Sequence, residues 1–347
     1  MNSTLPRLAS VDSFRVLAML AVIAIHTVPF SDTRSIGNEL NLAIVINQLA
    51  RFAVPFFFVA SGYFWSKKIS TSDDILGSSK KTAKRILALF VLWSLAYVCI
   101  TGMNLLLMNG RIAFLKEVDF FIDALIHRPV TSLLQGSKAH LWFLPALLIS
   151  LLLTAYFLEK NRLRALVIVA IGLYTVGLLG GAYNASPLGI NTQFNFRNGP
   201  FFGLLFFVAG HVLQQLKPTH SWFIYGFALT LAALVLQFLE LNYLFKTWGT
   251  SLRQDYVVST FFVGMGVSMM ALSNHPRLRW DTLSGVGPIV LGVYAVHYVF
   301  VDLFAFRHHW TGIGWVDDIF YVIAVFALST VAAFAMSRLS ITKPLVA

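Results

Sequence analysis

Two polar side chains interrupt an otherwise apolar helical stretch. The segment DSFRVLAMLAVIAIH, residues 12–26, carries Arg15 near its start and His26 near its end. The two are eleven residues apart. Three turns of α-helix take roughly 10.8 residues, so both project from one face, roughly 16 Å apart along the axis. Ionisable groups in hydrocarbon cost free energy and need a reason to be there. An arginine near a helix end can snorkel to the interface, and a histidine can hydrogen-bond to a neighbouring helix. On one face, the pair points instead to a polar passage against this helix, with a permanent cation at one end. At the other end stands an imidazole, the side chain best suited to moving a proton at neutral pH.

Other polar groups also fall inside apolar runs. Arg51 precedes Pro55 by about a turn, where proline loosens the helical ladder. Beside such a break an arginine binds an anion or satisfies freed carbonyls. Tyr294 and His297 stand three residues apart and share a helix face. At the depth expected for His26 they make either a proton relay or a packing network. The pair His308-His309 is a weak metal signal, no H-E-x-x-H spacing supports it, and no metal site is expected. Phosphate-cradling glycine motifs and the G-x-S-x-G elbow are also absent from the sequence.

The elements that must position these groups are membrane helices. Of the 347 residues, 57% are hydrophobic and 12% charged, with a mean hydropathy of +0.74. That charged fraction is about half the usual value for a soluble domain. The apolar runs stay apolar all round for about 20 residues, which fits helices and not barrel strands. Ten spans are expected, at 8–30, 41–65, 86–109, 139–158, 165–183, 199–216, 221–241, 255–273, 284–306 and 316–337. The first lacks a small-residue cleavage site and reads as a retained helix. The single cysteine, Cys99, lies in an apolar run, so a disulfide or cysteine-rich metal site within one chain is excluded.

The net charge of +11 gathers in short loops between spans, and no basic patch stands apart, so nucleic-acid binding is not expected. With the N-terminus inside, sixteen of the 26 basic residues fall on the cytoplasmic side, which places both termini in the cytoplasm. The segment 110–138 is then the longest outer connection. Its Phe114, Leu115, Val118, Phe121, Ile122 and Leu125 recur at helical spacing between charged residues. It reads as an extracytoplasmic interfacial helix, a lid over an outward-facing site, or a simple connector.

Six motifs in order give the chain a resemblance to the membrane acyltransferase-3 family. They are the arginine and histidine of the first span; VPFFFVASGYFW at 54–65, similar to F-F-x-x-S-G-[FY]; and the basic run KKTAKRI at 80–86. The others are HLWFLPAL from 140, similar to H-x-W-F-[LF]; PFFGLLFFVAGH at 200–211, similar to F-F-x-x-G; and LGVYAVH at 291–297. The chain looks most like the stand-alone ten-helix glycan O-acetyltransferases, without the extra helix and esterase-like domain that some members append.

The resemblance implies an all-α integral membrane protein, about ten transmembrane helices bundled around a central acyl-CoA cavity, as one domain in a bacterial cytoplasmic membrane. It implies acyl transfer, usually of acetyl from acetyl-CoA, to a hydroxyl of a surface glycan or lipid-linked oligosaccharide, with a homo-oligomer possible. Arg15, Lys80, Lys81, Lys84 and Arg85 would form a basic cytoplasmic mouth for the phosphates, although a lysine run also follows from topology alone. His26 would act as general base or carry the acyl group itself. Ser61, His140, Trp142 and Arg51 are candidate oxyanion donors. Each has a structural reading as well: Ser61-Gly62 as a close helix contact, Trp142 as an interface anchor. Arg51, Tyr294 and His297 would complete the donor site. Two other readings are a transporter or lipid-linked glycan flippase, and a sensor or scaffold with a degenerate site.

Overall fold

Proline, glycine and N-capping side chains set where the helices break. The computed structural model describes residues 7–31, 40–72, 74–304 and 310–346. Every regular element among them is helical. Helix α1 (Ala9–Thr27) carries the opening stretch without interruption and ends at Val28 in a left-handed conformation. The expected second span is two helices, α2 (Leu42–Ala50) and α3 (Ala53–Ile69). Pro55 has no N–H to return to the Arg51 carbonyl, and the ladder resumes with Phe56 N–H donating to Phe52 O at 3.0 Å.

The third span starts earlier than expected. Asp74 caps α4 (Ile75–His127) by accepting from Gly77 N–H at 2.7 Å, so the basic run at 80–86 is helical and not a loop. Gly110, at φ 81°, ψ 177°, interrupts α4. Beyond it the segment 110–138 continues as helix to His127 and then as α5 (Pro129–Gln135), with Ile112, Phe120, Ile126 and Leu133 exposed. There follow α6 (Phe143–Glu159), α7 (Leu163–Gly180), α8 (Pro200–Gln215), α9 (Trp222–Trp248) and α10 (Val258–Leu272). The expected ninth span is broken at Pro288 into α11 (Asp281–Val286), a 3₁₀ turn and α12 (Val290–Phe304). The chain closes with α13 (Gly314–Arg338) and a short α14 (Lys343–Val346). Among the described residues seven segments are long and apolar enough to span a bilayer, and α6, α8 and α10 are shorter apolar helices at the fourth, sixth and eighth places. The protein is an all-α, multi-pass membrane protein.

The chain divides into two compact units, one of residues 1–66 and 209–347 and one of 67–208. In the first, α1 is enclosed, with Val16, Ala18, Met19 and Ile23 fully buried, and it packs against α2, α10, α11, α12 and α13. Glycines allow the closest approaches. A Cβ on Gly226 of α9 would lie 2.6 Å from the Gly266 carbonyl of α10, and one on Gly210 of α8 would lie 2.1 Å from the Val59 carbonyl of α3. In the second unit, Leu166 and Ala170 of α7 pack on Leu204 and Val208 of α8. Outward faces are apolar in both units: Val331 is 65% exposed and Ile168 70% exposed. In a membrane these side chains meet acyl tails, so the burial that drives a soluble fold is completed by lipid.

Candidate active site

The last turn of α1 presents His26 to α12. Its ring centroid lies 5.5 Å from that of His297 and 5.0 Å from that of Tyr298. His297 is fully buried. Its Nδ1 lies 2.6 Å from the Tyr294 carbonyl, which can only accept, so Nδ1 carries the proton and Nε2 is the basic nitrogen of the neutral ring. The Tyr294 and His297 rings are 6.1 Å apart. Thus α1 and α12 bring His26, His297 and Tyr294 into one cluster. Tyr298, which no sequence motif marks, completes it. It is adjacent to His297 in the chain, so a single-face argument sets it about 100° away. Two rings on α12 reach His26 from neighbouring faces.

Arg15 lies nearer the other end of α1. Its Nη1 donates to Asp12 Oδ1 at 2.8 Å, while Arg7 Nε and Nη2 donate to Asp12 Oδ2 at 3.0 and 2.8 Å. The Arg15 guanidinium stands 5.3 Å from the Phe64 ring centroid. Asp12 is nearly buried, and Gly287 of the broken segment packs on it, so a Cβ there would fall 2.4 Å from the Asp12 Cβ. The sequence marks Asp12 only as part of a motif; its role as a shared counter-ion depends on where Arg7 turns back.

Arg51 sits at the break between α2 and α3. Its Nη1 pairs with Asp255 Oδ1 at 2.8 Å and its Nε donates to Asn47 Oδ1 at 3.1 Å. Nearby, Gln237 Nε2 donates to the Gln48 carbonyl at 3.0 Å, and Gln48 Nε2 to the Gln254 carbonyl at 3.1 Å. This buried polar seam ties α2 to α9 and to the loop before α10. Ser61, half-buried on α3, makes no side-chain hydrogen bond among the described residues.

The remaining candidates belong to the second unit. His140 is 2% exposed, with Tyr97 edge-on at 5.1 Å. Trp142, 8% exposed, leads into α6 with its ring 5.9 Å from Phe202 and the Arg197 guanidinium 5.6 Å away over its face. Lys80, Lys81, Lys84 and Arg85 are exposed on the first turns of α4. Among the described residues Lys80, Lys81 and Lys84 have no carboxylate partner, which leaves three cations at the positive end of a helix. His308 and His309 lie outside the described residues, among which no three His, Cys, Asp or Glu side chains converge on a metal site.

Residues 8–338 match the family described as acyltransferase domain. Among curated relatives, an amino-acid racemase of Enterococcus faecalis is 31% identical over 221 residues, 60% of this chain and 28% of that protein. A second Enterococcus faecalis amino-acid racemase is 29% identical over 216 residues, 59% of this chain and 29% of its own length. A serine/alanine racemase of Enterococcus gallinarum is 28% identical over 223 residues, 61% and 30% respectively. The chain therefore spans less than a third of each of these relatives. No solved structure matches it.

Proposed function

The chain belongs to the acyltransferase-3 family, and from that premise we propose that it carries an acyl group across a bacterial cytoplasmic membrane. The donor is cytoplasmic acetyl-CoA or a related acyl-CoA, and the acceptor a hydroxyl of a surface glycan or lipid-linked oligosaccharide. Both termini face the cytoplasm in this reading. The observation that carries it is the imidazole of His26 at one end of an unbroken helix whose other end holds Arg15, within a family match over nearly the whole chain. The racemase names belong to much longer proteins, so racemisation forms no part of the proposal.

The chemistry follows from the residues. His26 takes the proton of the acceptor hydroxyl as that oxygen attacks the thioester carbonyl. The new C–O bond forms, the C–S bond breaks, and the leaving thiolate recovers the proton from the imidazolium. His297 and Tyr298 hold the His26 ring, and Tyr294 fixes His297 through its carbonyl. Lys80 and Lys84, which have no carboxylate partner among the described residues, suit the phosphates of a polyanionic donor together with the exposed Arg85. Arg15 supplies a second cation whose Asp12 partner a stronger anion can replace. Ser61, His140, Trp142 and Arg51 remain candidate donors to the oxyanion.

The test uses full-length protein in membranes supplied with labelled acetyl-CoA on the cytoplasmic side, with glycan acetylation read by mass spectrometry. His26→Phe keeps a ring against His297 and Tyr298 but removes the nitrogens. Transfer is expected to fall by at least about a hundredfold, the size of a lost general base, with insertion and unfolding temperature retained. Transfer at the wild-type rate would remove His26 from the chemistry. A wild-type protein that moves glycan or solute but neither binds nor consumes acetyl-CoA would replace the enzyme reading with transport.

A further inference from the structure

Trp280 is an isolated aromatic side chain on a polar stretch of surface. It is 39% exposed, and from Val263 to Asp302 no other large apolar side chain is exposed. Around it Arg277, Arg279, Asp281 and Thr282 are exposed, while Leu278 is buried. Acyl tails meet continuous apolar faces, such as those of α9 and α13. A lone indole among charges suits a ligand that is itself flat and polar. The ring is also held in place. Its backbone N–H donates to the Ser13 hydroxyl of α1 at 3.2 Å, and its carbonyl accepts from Ser284 N–H of α11 at 2.8 Å. One side of the indole lies nearly parallel to the buried Phe14, with centroids 6.3 Å apart and planes at 11°. The exposed surface is therefore on the side away from Phe14. Among the described residues the hydrogen bonds of Trp280 all run through its backbone, which leaves the indole N–H to donate outward.

Guanidinium groups reach the same end of α1. Arg279, next to Trp280 in the chain, donates from Nε and Nη2 to the Asn274 carbonyl at 3.0 and 2.7 Å, which orients its fork and leaves the Nη1 donors uncommitted. Arg7, on the surface, donates to the Ser284 carbonyl at 3.1 Å, one turn of α11 on from Trp280. An open aromatic face, an indole N–H and two exposed guanidinium groups match a nucleobase that carries phosphates. The base stacks on the ring, a ring nitrogen accepts from the N–H, and the phosphates meet the arginines. We propose that Trp280 is the platform for the adenine ring of the acyl donor, with Arg7 and Arg279 beside it for the phosphates of the adenosine end. The proposal rests on the acyl-transfer reading, which supplies an adenine-bearing donor at this end of α1, but nucleotide binding is measured without transfer.

Full-length protein in detergent is titrated with adenosine 3′,5′-bisphosphate and with pyrophosphate, which carries charge without a base. Stacking a base on an aromatic side chain changes affinity by about fivefold to a hundredfold. Trp280→Leu should therefore raise the Kd for adenosine 3′,5′-bisphosphate about tenfold, and Trp280→Phe, which keeps a smaller ring, should raise it less. Neither should move the Kd for pyrophosphate, whereas Arg279→Gln should weaken both ligands. Acetyl-CoA should displace the bisphosphate from wild type. In transfer assays W280L should lose about tenfold in the ratio of kcat/KM for acetyl-CoA to that for S-acetylpantetheine, which lacks the nucleotide. Wild type photolabelled with 8-azidoadenosine 3′,5′-bisphosphate should carry the label in the peptide that holds Trp280, a readout that needs no variant to fold. An unchanged Kd in W280L overturns the proposal and is expected if the indole only anchors the chain at the lipid interface. So does an equal loss for pyrophosphate, failure of acetyl-CoA to displace the bisphosphate, or a label confined to other peptides. Trp280-dependent binding that acetyl-CoA displaces, in a protein that transfers no acetyl group, would leave the platform standing and remove the enzyme reading instead.

Discussion

Replacing Asp12 by asparagine removes one charge and keeps the shape of the side chain that Gly287 packs against. Its carboxylate is 5% exposed and holds two guanidinium groups, Arg7 at 63% and Arg15 at 32% side-chain exposure. Two unit charges about 4 Å apart at an effective dielectric of about 20 interact by about 4 kcal/mol, which is a ceiling. The Arg7 pair is mostly solvated and contributes under about 1 kcal/mol. The Arg15 pair is two-thirds covered, and breaking one side of a buried pair costs about 3–5 kcal/mol. The remaining exposure and the hydrogen bond that asparagine still accepts bring the expected loss to about 2 kcal/mol. The assay is thermal unfolding of full-length D12N, R15Q and the double variant in detergent. A coupling energy above about 1 kcal/mol between positions 12 and 15 is expected. The same variant bears on donor binding. A carboxylate about 6 Å from a bound phosphate repels it by about 0.7 kcal/mol even at the dielectric of water. D12N should therefore bind acetyl-CoA about threefold more tightly while being less stable. Unchanged stability with no coupling would refute the ion-pair argument. Weaker acetyl-CoA binding would refute the placement of an anion at Arg15.

Two further outcomes test helix packing and capping. Gly210→Ala places a methyl group against backbone atoms of Val59 and Tyr63 that cannot move aside, and should destabilise by about 1–3 kcal/mol in thermal unfolding, whereas Gly172→Ala on α7, with nothing within 4 Å, should be neutral or stabilising. Glu240 of α9 caps α10, accepting from the backbone N–H of Val258 at 2.8 Å and of Ser259 at 2.9 Å and from the Ser259 hydroxyl; Glu240→Gln should cost about 1–2 kcal/mol and speed hydrogen exchange at those two amides.

How far the site was legible depended on whether its geometry is local. Ten apolar segments in order follow from length and hydropathy alone. The alternation of spans places His26 and His297 at one depth, and the structure puts their rings in contact. The break beside Arg51 follows from Pro55. Asp12 and Tyr298 were not legible in their roles, nor was the burial of Asn198. The first needs a chain segment that folds back over its own helix, and the second needs the crossing of two helices remote in sequence. Asn198 lies in a connection of the kind expected at the surface. The connection folds inward: Phe196 packs on Gly180, where a Cβ would fall 2.0 Å from the ring, and Phe194 and Phe201 close on the same ring at 5.2 and 5.0 Å. Aromatic residues spaced through a loop were the available signal.

Proximity alone does not identify chemistry in this chain. Ser66 Oγ and His211 Nδ1 are 2.7 Å apart and buried, the spacing of a nucleophile and its base. The flanking amides decide otherwise. Gln215 Nε2 can only donate, and it does so to His211 Nε2 at 3.0 Å. His211 Nδ1 therefore carries the proton and donates to Ser66, whose hydroxyl donates onward to Gln214 Oε1 at 3.2 Å. The serine receives a hydrogen bond from the imidazole and has no base to give its proton to. The chain of four fastens α3 to α8. Asparagine at 211 offers a donor and an acceptor in the same order, whereas leucine strands Ser66 and Gln215, so His211→Asn should preserve the fold far better than His211→Leu. Loss of acetyl transfer in both variants at unchanged stability would show that His211 acts in the reaction after all.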